Sequence, residues 1–388
     1  MERRANLSLA LVSATHGMNH FYQLLLPVVL PKIRIEYDLS YFTAGILLSS
    51  YGLSYSLFQT PVGYISGRFG KKRLLVLGLI ITSLSFLAMG FTDNILVLGL
   101  LFFLAGIGGS TYHPNGMPLI SDLFKENKGQ ASGFHQTGGS LGSFVAPLIA
   151  GFTAVALDWK TTLMVLSLPG IILSGILWGF LSDPRKTMKQ QEKKKLSLRS
   201  YSSILLLIAA AAIYTSAYRG INAFANQYFV DARHLANLGE ASFLFSMLQV
   251  AGLFSAPLCG RLSDRFGRKI VILILIVVQF ASIYSLILAP LSILIVPCIV
   301  FGFTSFGLLA VTDAFLADIT PLEHVEAIFG FHFTMSFVVG AILPPILGSI
   351  IDLYGFNLGF SLLGVAILLG IPPLTRAKRP SQKTGSEN

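Results

Sequence analysis

Twelve apolar runs, separated by short polar gaps, set the limits on how this chain can fold. They lie near 8–30, 41–65, 74–91, 95–120, 131–155 and 161–181, and then near 201–229, 241–262, 270–289, 291–317, 327–351 and 356–374. Each suffices for the ~20 residues that a helix needs to cross a bilayer core. The spacing therefore predicts an all-α membrane protein of twelve transmembrane helices. A chain that is 53% hydrophobic and 12% charged has too little polar surface to cover a water-soluble globule of 388 residues. The net charge of +10 does not point to nucleic acid, because the basic residues fall in the gaps and not on an aromatic-interleaved polar face. No short apolar stretch with a cleavage site precedes the first run, which is expected to be retained.

The runs form two similar sets of six. Gly63-Tyr64-Ile65-Ser66-Gly67-Arg68-Phe69-Gly70-Lys71-Lys72 returns as Gly260-Arg261-Leu262-Ser263-Asp264-Arg265-Phe266-Gly267-Arg268-Lys269, a separation of 197 residues. The same separation carries Gly133-Phe134-His135 onto Gly330-Phe331-His332, Pro147 onto Pro344 and Gly151 onto Gly348. One register kept over so long a stretch marks an internal repeat. The expected organisation is an N-terminal half over 1–181, a basic linker over 182–200, a C-terminal half over 201–374 and a tail over 375–388.

With both ends and the linker on one side of the membrane, 23 of the 28 basic residues lie on that side. Only Lys32, Arg34, Lys160 and Arg233 lie opposite, and Arg219 falls inside a run. This asymmetry predicts cytoplasmic termini in a prokaryotic-type inner membrane. Cys259 and Cys298 lie far apart without metal-ligand spacing, so neither a disulfide nor a metal site is expected from them.

Two six-helix halves, a basic linker and a glycine-bounded basic turn after each second run resemble the major facilitator superfamily over the whole chain. The family's turn, G-x-x-x-D-R-x-G-R/K-K, is matched at every position by Gly260, Asp264, Arg265, Gly267, Arg268 and Lys269. In the first copy Gly63, Arg68 and Gly70 match, and Gly67 replaces the aspartate. The resemblance implies that these residues set the conformational balance between the halves, and the paired glycines suit tight turns. The fifth run, with Gly133, Gly142, Ala146-Pro147 and Ala150-Gly151, is similar to the family's antiporter pattern with two glycines softened to alanine, which implies export. Small residues at helical spacing equally serve close helix packing. In the fourth run Gly106 and Gly108 fit the drug-antiporter motif, but Phe102 stands where that motif has arginine. Tyr112-His113-Pro114-Asn115-Gly116, with the histidines of the first run, resembles the branch that includes fosmidomycin-resistance exporters.

Polar and ionisable groups inside spans are costly and mark candidate sites. Ser13, His16, His20 and Gln23 recur at three- or four-residue spacing on one helical face, with Asn19 beside it. The seventh run repeats the pattern with Thr215, Arg219, Asn222 and Asn226, and Tyr218 adjoins Arg219. Tyr112, His113 and Asn115 lie on the fourth run, and Thr312 and Asp313 on the tenth. The resemblance implies that these four helices line the central cavity. The candidate substrate-binding set is thus His16, Asn19, His20, Gln23, Tyr112, Asn115, Tyr218, Arg219 and Asn222. For any one histidine, a hydrogen-bonded helix contact is the competing reading. The repeat register puts Asp313 opposite Gly116, one turn from His113, so His113 and Asp313 are the candidate proton-coupling pair. Counting ~1.5 Å per residue separates Asp313 from Arg219 in depth, and no direct pair is expected. His135 and His332 are expected to act as gate or cap residues.

An enzyme is not expected. Gly138-Gly139-Ser140-Leu141-Gly142 spells G-x-S-x-G without the strand a nucleophile elbow needs, and no H-E-x-x-H occurs. A channel would not need two halves with matched turns. The expected function is secondary transport by alternating access, as proton-coupled export of a small amphipathic or anionic compound. Uptake of a small organic anion or metal chelate is the alternative. The expected partners are that substrate, protons and the bilayer, with no cofactor, no resident metal, and a monomeric chain.

Overall fold

The computed structural model describes residues 2–182, 198–321 and 324–377, so most of the basic linker and the tail lie outside the described residues. The described chain is helical, with no strand. Helices α1 (Glu2–Glu36), α2 (Tyr41–Phe69), α3 (Lys71–Met89), α4 (Ile95–Ser110), α5 (Tyr112–Leu123), α6 (Lys128–Ala156) and α7 (Trp159–Phe180) belong to the first set of runs. The second set holds α8 (Leu198–Gln227), α9 (Leu238–Val250), α10 (Gly252–Phe266), α11 (Arg268–Leu288), α12 (Ile295–Ile319), α13 (Val325–Leu368) and α14 (Ile371–Arg376). α8 runs on into a wider turn of π-helix over Tyr228–Ala232.

Among the described residues nine stretches are long and apolar enough to cross a membrane. They treat α4 with α5, and α9 with α10, as single rods interrupted at Thr111 and Ala251. One, Ile328–Arg376, contains a break at Gly355, whose φ of 79° leaves the helical region. α1, which carries His16, Asn19, His20 and Gln23, and α2 are the remaining long helices. The arrangement is consistent with twelve spans.

The basic turns form where the repeat places them. Gly70 at φ 86° ends α2 and starts α3, and Gly267 at φ 93° does the same between α10 and α11. An L side chain is strained there, so these two glycines are turn residues. Gly63 and Gly260 are not: both lie within their helices, where the backbone is ordinary. Lys71 pairs with Asp122 at 2.5 Å, and its repeat mate Arg268 pairs with Asp318 at 3.2 Å, each tying the turn to its own half. Arg268 also donates to Ser263 Oγ and meets Asp264 at 2.5 Å, an ion pair that Gly67 cannot reproduce in the first half.

Contacts between halves gather towards the opposite end. α6 crosses α9 where a Cβ on Gly151 would lie 2.2 Å from Ser242. Its mate Gly348, on α13, abuts the Tyr41 carbonyl at the start of α2, and Gly45, the mate of Ser242, abuts Pro344 and Pro345. The two crossings are therefore related by the 197-residue register. Ser49 Oγ donates to the Ala341 carbonyl at 2.5 Å, and Asn226 Nδ2 to the Val28 carbonyl at 3.3 Å. Asp352 accepts from the backbone N–H groups of Tyr41 and Phe42 at 2.8 and 2.9 Å, satisfying orphan donors at the start of α2. Arg34 pairs with Asp231 at 2.9 Å, and Asp231 also accepts from the Tyr41 hydroxyl at 2.7 Å. Beside this cluster, in the gap before α7, hydrogen bonds from Thr161 hold the exposed Asp158 carboxyl below its usual range. Lys160, in the first turn of α7, is bonded to Glu36 and Asp93.

Of the small residues in α6, Gly142 faces α1 so closely that a Cβ would lie 2.0 Å from the Gly17 carbonyl oxygen. Gly133, by contrast, has open space around it. Ala146 and Ala150 are fully buried. Pro147 lies within α6, which is helical throughout the range.

Candidate substrate site

Three histidines meet inside the first half. His16 and His20, one turn apart on α1, place their Nε2 atoms 3.1 Å apart, and His113 joins them from α5. One nitrogen from each of the three rings lies within 4.8 Å of the other two. His16 is buried, and its Nδ1 donates to the His135 carbonyl at 3.1 Å. Its ring stacks on His135 and on Tyr112, with centroids 4.3 and 5.0 Å away. Gly139 makes room for it, since a Cβ there would lie 2.5 Å from Cε1. His135 thus forms part of the wall of this cluster, in contact with Tyr112 at 2.6 Å, whereas its position near a helix start had suggested a gate.

Several residues expected to touch substrate are committed to the fold. Asn19 donates to the Gly109 carbonyl and accepts from Tyr55 and Gln23, at 3.0, 3.1 and 3.2 Å. Asn115 is fully buried, accepting from Ser66 at 2.6 Å and donating to the Thr111 carbonyl at 2.8 Å. Tyr112 is buried and donates to the Val12 carbonyl. Asn222 is bound by Gln249, which also accepts from Tyr218 at 3.0 Å. These side chains brace the helices in this conformation. His20, His113, Gln23, Tyr218 and Arg219 remain half-buried, with surface left to offer.

Arg219 is the most exceptional of them. Its guanidinium carbon lies 4.4 Å from the centre of the Phe337 ring, and Nε is buried without a hydrogen-bond partner. Among the described residues it has no ion-pair partner. Phe337, on α13, also touches Tyr55 at 5.3 Å and His113 at 6.1 Å, so one ring links the two halves' polar groups. Neither Phe337 nor Tyr55 was marked by polarity in its apolar run.

Asp313 has a different neighbour from the one the repeat register picks out. Its carboxylate meets His332 Nε2 at 3.2 Å, while His113 packs with His16 and His20. His332 is buried, its Nδ1 without a partner, and the Asp313 side chain is 30% exposed. Asp313 and Arg219 are not paired, as depth counting predicts.

A helical bundle with repeat-related crossings and unpaired polar groups between its halves suits a transporter, and family comparison decides which. The family model for the Major Facilitator Superfamily matches residues 9–239 and 207–388. The chain belongs to the Major Facilitator Superfamily. It is 23% identical over 377 residues to the fosmidomycin resistance protein of Escherichia coli (strain K12), covering 94% of this chain and 91% of that one. It is likewise 23% identical over 397 residues to the hexuronate transporter of Bacillus subtilis (strain 168), covering 94% and 92%. Its fold is similar to that of a solved bacterial homologue of the human lysosomal transporter Spinster, in an inward-facing and occupied conformation. There the TM-score is 0.81 at 16% identity, over 96% of each chain. Members of this superfamily are multi-pass membrane transporters of small molecules, not enzymes.

Proposed function

We propose that this transporter carries a small organic anion by alternating access, driven by protons, and that its physiological direction is export. The observation that carries the anion reading is the Arg219 guanidinium, which has no ion-pair partner among the described residues, leaves Nε buried without a hydrogen bond, and is held against Phe337 of α13. An intramembrane arginine without a protein counter-ion is costly, and a carboxylate or phosphonate cargo supplies the missing charge through two parallel hydrogen bonds. Export is supported by the antiporter-like small residues of α6 and by the likeness to a fosmidomycin resistance protein. Uptake is favoured by one comparison, since hexuronate, the cargo in a relative's name, is a carboxylate. Asp313 with His332 is the proposed proton carrier, because a half-buried carboxylate against an imidazole exchanges a proton as its surroundings open and close. The halves, taken as 1–181 and 201–374 with cytoplasmic linker and tail, rock against each other and close the outer side at the contacts near Arg34 and Asp231. A reporter fused within 186–195 reads cytoplasmic on this topology, and one after Asp158 external.

The test is a thermal-shift screen of small carboxylates and phosphonates on purified protein, since a ligand that binds the folded state raises its melting temperature. Arg219→Lys then weakens the best hit by about tenfold or more, because an ammonium cannot copy the bidentate fork. Equal binding by wild type and Arg219→Lys refutes the assignment.

A further inference from the structure

We propose that His16, His20 and His113 form a binding site for a borderline divalent transition-metal ion, of the Zn²⁺ and Co²⁺ class, inside the first half. Two of the three ligands come from one helix face at i, i+4 spacing, and the third projects from the start of α5, beyond the interruption at Thr111. The spacing of the nitrogens suits one ion. Nitrogens bound at ~2.0–2.1 Å in tetrahedral geometry lie about 3.3 Å apart, and Nε2 of His16 and His20 are 3.1 Å apart. All the donor atoms already lie within 4.8 Å, so small ring rotations close the site.

The surroundings also orient the ligands. His16 Nδ1–H is spent on the His135 carbonyl, which fixes the tautomer with its Nε2 lone pair turned to the other two rings. A backbone carbonyl behind a ligating imidazole is the usual support at histidine-metal sites. The hydrogen bond between the two Nε2 atoms uses one proton, carried by His20 Nε2. On metal binding that proton moves to Nδ1 of the same ring, and the freed lone pair takes the ion. Three neutral imidazoles without a thiolate or a carboxylate favour zinc, cobalt, nickel or copper over magnesium and calcium.

His16 is buried while His20 and His113 are half-buried, which leaves the fourth coordination position on their open side. His113 touches Phe337 there, and Phe337 carries the Arg219 guanidinium on its ring. A cation beside an arginine is disfavoured unless an anion completes its coordination, so the ligand chemistry that satisfies both groups is a metal ion bearing an anionic donor.

The experiment uses full-length protein with any affinity tag removed, titrated with Co²⁺ and followed by visible absorption. One Co²⁺ per chain with the intense bands of a four-coordinate site, three of its ligands being nitrogens, displaced by Zn²⁺, is the expected result. His20→Gln and His113→Gln each weaken Co²⁺ binding by about 100-fold or more, since even the loss of an outer-shell partner costs 10–100-fold. His234→Gln, in an exposed loop remote from the cluster, leaves binding unchanged. Thermal melts confirm that the variants are folded. Absence of the bands in folded wild-type protein, or equal affinity in wild type, His20→Gln and His113→Gln, overturns the proposal. The readout does not involve Arg219, so its failure leaves the anion assignment standing, and the converse also holds.

Discussion

Asp231→Asn should open the bundle at the end away from the basic turns. Asp231 accepts two charge-assisted bonds there, from Arg34 at 2.9 Å and from the Tyr41 hydroxyl at 2.7 Å, and Arg34 also lies over the Tyr41 ring at 4.4 Å. The pair is 21% exposed on each side, so solvent screens it only in part. A bond to a charged group contributes about 1.5–3 kcal/mol and a neutral one about 1 kcal/mol, so the isosteric amide loses roughly 1 kcal/mol per bond. The total, about 2 kcal/mol, is a shift of roughly 30-fold in the equilibrium between closed and open forms. Adding Asp352→Asn weakens the bonds to Tyr41 and Phe42 at the same end and pushes further in the same direction. The assay is the distance between spin labels on Ile35→Cys and Ala236→Cys, both exposed positions, with the buried Cys259 and Cys298 replaced by serine. A longer distance should gain population in Asp231→Asn and more in the double substitution. Asp93→Asn, which disturbs only a contact to Lys160 within the first half, serves as control. Identical distributions in wild type and in the double substitution would refute the reasoning.

Asp313→Asn and His332→Gln should each abolish accumulation driven by a proton gradient in proteoliposomes while sparing exchange of labelled for unlabelled substrate. Loss of both activities together would assign the pair to structure instead. Gly142→Ala should lower the melting temperature, because its Cβ would meet the Gly17 carbonyl oxygen at 2.0 Å and overpacking of this kind costs about 1–3 kcal/mol. Gly133→Ala, with nothing within 4 Å, should raise it slightly, by helix propensity alone. Asp264→Ala should leave the melt nearly unchanged, since its side chain is 64% exposed, yet slow transport measured in vesicles.

The bundle was legible from the apolar runs because a bilayer imposes length and hydropathy on every span. The ends were less so: α1 runs from Glu2 to Glu36, well past the run 8–30, since backbone hydrogen bonding continues outside the apolar layer. Repeat arithmetic located the turn glycines Gly70 and Gly267, but gave Gly63 and Gly260 the same role although both lie mid-helix. At the site, periodicity placed His16 and His20 on one face, and the structure has them in contact. Depth counting kept Arg219 and Asp313 apart; the repeat register put Asp313 with His113, but it fixes height along a helix and not azimuth, and packing pairs Asp313 with His332. Asn115 and Tyr112 looked available because polarity alone does not distinguish a brace from a ligand contact. Phe337 was invisible for the opposite reason: an aromatic ring in an apolar run carries no mark of the cation it supports.

Arg34 and Asp231 are separated by 197 residues, so each occupies the place of the other in the repeat, and their contact must lie at the axis that relates the halves. On such an axis a duplicated residue faces its own copy. Two identical halves would set arginine against arginine or aspartate against aspartate, and like charges would repel at the point where the bundle closes. The ion pair can exist only in a chain whose halves have diverged at this position. Neither half, assembled with a second copy of itself, could make this closure, which therefore depends on the two unlike halves acting as one molecule.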